Sequence, residues 1–217
     1  PSASPSTSPT TSPSSSPSVS PTESPTEEVA VVVEGSFSLA GLTAEAIEAG
    51  CPVACVTVGV SSNGSPHAID WTVIEQLGQA VDVPVVVKGV MGVDAARAAL
   101  DRGAQGIIVS NHGGLLPGES ALPIDVLPAV SDALANQIPV LVDGSFRRGT
   151  DVLKGLALGA TAVLVARPPM WGLAAYGAEG VQTVVEILQT ELARNMAASG
   201  RPTIDMIDRD LVRLDRW

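Results

Sequence analysis

The sequence predicts an α/β fold, a parallel (β/α) barrel in which about six βα units can be counted where eight close such a barrel. Three observations carry this. Short, near-continuous runs of Val, Ile and Leu alternate with segments of helical period, as strands do when a parallel sheet buries both their faces. The later units repeat the form helix–Gly–Ala–x–x–strand, so that RGAQGIIVS (102–110) and LGATAVLVA (158–166) match almost position for position. Polar residues collect where the runs end: Thr57, Lys88, Ser110, Asn111, His112, Asp143 and Arg167. That is the rim on which barrel loops build their sites. A doubly wound open sheet shares the alternation, but it usually carries a phosphate loop early, and no G-x-G-x-x-G or G-x-x-x-x-G-K follows any strand here.

Taken in order, the strand runs are AVVVE (30–34), VACVTVG (53–59), VPVVVKG (83–89), GIIVSNHGG (106–114), PVLVDG (139–144) and AVLVARP (162–168). Helix-period segments fall at 42–49, 70–80, 93–102, 122–135 and 149–158. Gly50, Gly103 and Gly159 stand where helices stop, because glycine adopts the left-handed conformation of a helix end without steric cost. Counted back from the C-terminus, AVLVARP is the eighth strand and PVLVDG the seventh, so the first two strands are missing. Six strands in chain order are expected, with open edges at the third and eighth. Open Val-rich edges invite pairing with another chain, which makes a homo-oligomer an expectation.

Composition divides the 217 residues in two. Residues 1–28 are almost wholly Ser, Thr and Pro, with Pro at every fourth position from Pro1 to Pro25. Such spacing denies both helix and sheet hydrogen bonding and predicts a disordered, extended linker. Residues 29–217 form the domain. The net charge of −11 argues against a nucleic-acid binder, since neutralising phosphates takes clustered Lys and Arg. No apolar run reaches about 18 residues, so no membrane span is expected. Cys51 and Cys55 read as small apolar residues near a strand start, without the spacing of a metal site. The compartment stays open: the leader's composition suits an exported, O-glycosylated stalk, but it is compositional evidence alone.

The chemistry lies on the rim. DGSFRRGTDVLKG (143–155) joins a strand end, a glycine turn, two arginines and a helix start, and backbone N–H groups beside Arg side chains make a phosphate cradle. Arg167 adds a cation after the next strand. The alternative is that Arg147, Arg148 and Arg167 pair with Asp143, Asp151 and other acids. His112, flanked by glycine, has room for a ligand and an imidazole suited to general-base work. Lys88 could stabilise negative charge on a cofactor or pair with Asp143 across the rim. His67, in a polar loop, reads as solvated.

VVVKGV (85–90), GIIVSNHGG (106–114), PVLVDGSFRRGTDVLKGLALGA (139–160) and RPPMWGLAAYGAEGV (167–181) resemble the FMN-dependent α-hydroxy acid dehydrogenases and oxidases, in the family's order and spacing. The resemblance covers most of residues 45–212. It implies a TIM (β/α)8 barrel holding FMN at the strand C-termini, a small-molecule substrate and, by family default, a cytoplasmic location. It implies that His112 is the active-site base. Lys88 would lie by the flavin N1 region, and Thr57 against the isoalloxazine. Arg147 and Arg167, with backbone groups around Gly144, Ser145 and Ala166, would hold the phosphate. Asp143 falls among the cofactor-binding positions.

Departures from the family pattern fall on the substrate side. Gly59 stands where the family has an Asp that pairs with the active-site His. Ser65 and Pro66 stand at the family's Arg-Arg, and Leu115 at its second carboxylate-binding Arg. Losing two arginines removes charge-assisted bonds of about 1.5–3 kcal/mol each. Three readings follow: an FMN oxidoreductase acting on 2-hydroxy acids, a branch with an altered substrate, and a catalytically impaired relic or interaction module.

Overall fold

The computed structural model describes residues 31–33, 45–60, 68–114 and 121–213. The leader, Ser65, Pro66, His67 and Leu115 lie outside the described residues. Six strands form one sheet in chain order: β1 (Val31–Val33), β2 (Ala54–Thr57), β3 (Val85–Val90), β4 (Gly106–Val109), β5 (Val140–Val142) and β6 (Ala162–Val163). Every neighbouring pair is parallel. Between them run α1 (45–48), α2 (Thr72–Ala80), α3 (Val93–Asp101), α4 (Pro123–Leu134) and α5 (Gly149–Ala157). This is the incomplete (β/α) barrel that the alternation predicts, with β1 and β6 at the edges of the sheet among the described residues.

Burial explains the runs. All four residues of β4 are buried. Val87 and Val90 of β3, Ile107 and Val109 of β4 and Val142 of β5 have no exposed surface, and each fully buried side chain of this size contributes about 1.5–3 kcal/mol. The helices cover the sheet with Ile74 and Leu77 from α2, Ala96 and Ala99 from α3, and Leu127, Val130 and Leu134 from α4. The alanines let α3 lie close to the strands. At the start of α4, Asp125 reaches back to accept the Leu122 N–H at 3.3 Å, and Pro123 occupies the first turn, where no N–H is needed.

Two expectations need correction. The sixth run ends early: the Leu164 N–H still donates to the Val142 carbonyl at 2.9 Å, but Arg167 is the first residue of a helix rather than a strand end. The following prolines are the cause, because their missing N–H groups suit a first helical turn and cannot extend a ladder. That helix, α6 (Arg167–Ala198), has no counterpart among the predicted helical segments. It is two helical segments joined at Tyr176 and Gly177, where the backbone leaves helical values. The segments meet at Gly172 and Gly180, whose missing side chains let the two backbones touch. Two 3₁₀ turns, Ile204–Met206 and Arg209–Leu211, follow. Arg209 ties the second to α4 through Asp132 and the Pro128 carbonyl. No helix among the described residues is long and apolar enough to cross a membrane.

Candidate functional site

The C-terminal ends of β2 to β5 bring Thr57, Lys88, Ser110, His112 and Asp143 onto one rim. Thr57 and Lys88 are direct register partners across β2 and β3. Ser110, fully buried, joins Lys88, His112 and Asp143. The Lys88 ammonium donates to Ser110 Oγ at 3.1 Å, and the Ser110 hydroxyl donates to Asp143 Oδ2 at 2.9 Å. The His112 N–H donates to the same Oγ at 3.2 Å. A hydroxyl has one hydrogen and two lone pairs, so all of its capacity is used. Lys88 also lies 3.3 Å from Asp143 Oδ2, with both side chains about a fifth exposed. The pairing alternative for Lys88 is therefore present, while the cluster still faces the rim. Lys88 also acts on the buried Cys55, where burial pushes the thiol up and the ammonium partly opposes that.

His112 sits in a left-handed run, with φ of +55° at His112, +74° at Gly113 and +88° at Gly114. For histidine that conformation costs about 1–2 kcal/mol. Local bonds hold it: the Gly114 N–H donates to the Asn111 carbonyl at 3.0 Å and to Asn111 Oδ1 at 3.1 Å. The ring turns back over β2 and β3, placing Nε2 at 3.0 Å from the Val58 carbonyl. Gly59 has no side chain with which to orient the ring. A backbone carbonyl supplies the acceptor.

The phosphate-cradle residues separate into two groups. Gly144 and Ser145 both have positive φ, +96° and +64°, and no hydrogen bond among the described residues occupies their N–H groups. Arg147 stacks over the Trp171 ring, its guanidinium carbon 5.1 Å from the centroid, and donates to the Phe146 carbonyl at 2.9 Å. Among the described residues its side chain meets no carboxylate. Arg167 is exposed on the first turn of α6, after Ala166, and its side chain makes no ion pair or hydrogen bond among the described residues. Arg148 behaves otherwise. It pairs with Glu191 through Nη2 at 2.7 Å and Nε at 3.0 Å, which realises the ion-pair alternative, among the described residues, for this arginine of the three. Glu191 also accepts the Gly149 N–H at 2.8 Å, and Asp151 accepts those of Arg147 and Arg148 at 2.9 Å each. Two carboxylates therefore already satisfy the start of α5.

Two buried polar atoms on the rim have no partner among the described residues: Thr57 Oγ1 and Asp143 Oδ1. Leaving such an atom unpaired costs about 1–3 kcal/mol, so they mark where an outside group can bond. Sequence reasoning placed Ser110 on the rim but gave it no role, because a serine after a strand carries no signal of how many partners converge on it. It missed Trp171 and the Val58 carbonyl altogether.

Comparison with known proteins identifies the family. The family described as FMN-dependent dehydrogenase matches residues 32–214. A peroxisomal (S)-2-hydroxyacid oxidase of Arabidopsis thaliana is 47% identical over 155 residues, covering 71% of this chain and 43% of the relative. The 2-hydroxyacid oxidase 1 of Homo sapiens is 47% identical over 146 residues, with 67% and 40% covered. The chain thus spans about two fifths of the length of these curated relatives. The solved structure of mandelate oxidase with benzoyl-formic acid superposes with a TM-score of 0.75 at 35% identity, covering 82% of this chain and 61% of that one. Fold and sequence converge, and the chain belongs to the FMN-dependent dehydrogenase family.

Proposed function

We propose that the chain takes part in FMN-dependent oxidation of a 2-hydroxy acid-like small molecule, with His112 as the base. The observation that carries this reading is the convergence of two sets of polar groups on one rim. Among the described residues, the buried oxygens Thr57 Oγ1 and Asp143 Oδ1 have no partner, nothing bonds the Gly144 and Ser145 N–H groups of the turn after Asp143, and the Arg147 and Arg167 side chains meet no carboxylate. These residues fit a group with a polar ring at one end and a phosphate at the other. Arg147, Arg167, Gly144, Ser145 and Ala166 would hold the phosphate. Thr57 and Lys88 would face the ring, with Asp143 and Ser110 fixing the ammonium. FMN, when bound, supplies the two-electron acceptor for the hydrogen on the substrate carbon. His112 takes the hydroxyl proton, a role for which an imidazole is the commonest side chain.

A second reading, an altered substrate or an impaired relic or interaction module, is favoured by one feature. Gly59 puts no carboxylate beside His112, although a β-carbon there would lie 4.0 Å from Nε2. Ser65, Pro66 and Leu115 add no cation for a substrate carboxylate. The test is the visible spectrum of the chain loaded with FMN, followed anaerobically with glycolate, lactate and mandelate. Bound flavin that bleaches supports the first reading. Bound flavin that stays oxidised supports an altered substrate or a relic, and no bound flavin leaves the interaction module.

A further inference from the structure

We infer that Gly89 is a positioning residue for His112: the absent side chain at this point of β3 forms the seat that holds the imidazole against the Val58 carbonyl. The inference rests on the proposed role of His112 as base. Gly89 lies between Lys88 and Val90, where the register of β3 with β4 shifts by a residue. Its φ is +111°, a conformation glycine reaches without steric cost. A β-carbon there would stand 2.7 Å from His112 Nε2 and 2.9 Å from Cε1, and would also collide with the Val58 carbonyl oxygen. Ring, carbonyl and glycine therefore share one space, and any side chain at position 89 must displace one of the other two.

The seat also dictates a tautomer. A carbonyl only accepts, so the 3.0 Å contact requires the proton on Nε2. In the neutral ring the lone pair is then on Nδ1, which makes Nδ1 the basic nitrogen. The shift in β3 serves both neighbours, since Lys88 still reaches Ser110 and Asp143 on one side of it.

The test is ring-nitrogen NMR on the full chain labelled at histidine, with His67→Gln to leave one imidazole. The wild-type seat is expected to show Nε2 protonated and Nδ1 not, at a pH where the ring is neutral. The reverse pattern, or rapid exchange between the two, overturns the inference. Gly89→Ala is expected to abolish that fixed pattern. A companion cycle handles its effect on folding: the stability cost of Gly89→Ala is measured with His112 present and with His112→Ala. A cost that falls when the ring is removed supports the seat, and an equal cost in both backgrounds overturns it. Neither readout involves turnover, so a seat that is confirmed in a chain where His112→Ala leaves activity intact would refute the base assignment and spare the seat.

Discussion

Three arginines within one motif and its neighbour have three different surroundings, and a change at each should read out differently. Arg148 is clamped by Glu191, whereas Arg167 has no partner among the described residues and Arg147 lies over Trp171. Arg167→Ala is expected to weaken FMN binding about tenfold or more, the loss of one charge-assisted contact. Arg148→Ala should leave FMN affinity within about twofold and lower the melting temperature instead, through the lost contact between α5 and α6. Fluorescence titration of FMN beside thermal melts checks both, and equal losses of affinity in the two variants would contradict the assignment. The separation was invisible in the motif, since Arg147 and Arg148 are adjacent and chemically alike. Glu191, which distinguishes them, lies more than forty residues away on a helix that sequence periodicity did not suggest. By contrast Thr57, Lys88, His112 and Asp143 could be read as rim residues, because a polar residue ending a buried apolar run has few other places to point.

The start of α5 shows how an element is held by groups from elsewhere. Hydrogen bonds from Arg148 and then Gly149 keep the Glu191 carboxyl below the usual carboxylate range. A carboxyl lowered in the folded state contributes stability above its unfolded value, and that contribution is lost as pH falls through the folded one. The contact between α5 and α6 should therefore weaken only below about pH 4.3, the ordinary glutamate value. Glu191→Gln should flatten this part of a stability-against-pH curve measured by urea unfolding; an unchanged acid limb would count against the clamp. Within α6 the glycine contact makes a separate prediction. Gly172→Ala pushes a methyl into the Gly180 backbone and should cost about 1–3 kcal/mol. Gly78→Ala on α2, exposed and with nothing near its β-carbon, should instead gain about 0.5–1 kcal/mol. The strands and α2 to α5 were legible because burial imposes a period on them. The helix α6 was not, since Met170, Trp171, Leu173 and Tyr176 lie exposed and blur the apolar stripe by which a helix is recognised.

At the scale of the molecule the proposed flavin site is dispersed. Its residues run from Thr57 at the end of β2 to Arg167 at the start of α6, and they meet only because parallel pairing lines up the strand ends. An unfolded chain has no such meeting point, so FMN should bind the folded state alone and stabilise it by mass action. At a free FMN concentration of 100 times its dissociation constant, the gain is about 2.7 kcal/mol. For a domain of this size each kcal/mol raises the melting temperature by about 2–4 °C, so a rise of roughly 5–10 °C is expected, growing with the logarithm of FMN concentration. Because the site joins both halves of the sheet, the shifted transition should remain single, with helix and aromatic signals moving together. Arg167→Ala, at the same FMN concentration, should show a rise smaller by about 1.4 kcal/mol, the equivalent of its tenfold loss of affinity. Circular dichroism and tryptophan fluorescence melts across an FMN series provide the measurement. A melting temperature that ignores FMN would remove the cofactor site from this chain. A transition that splits, with only the signal near Trp171 responding, would confine the site to the phosphate end and detach Thr57 and Lys88 from it.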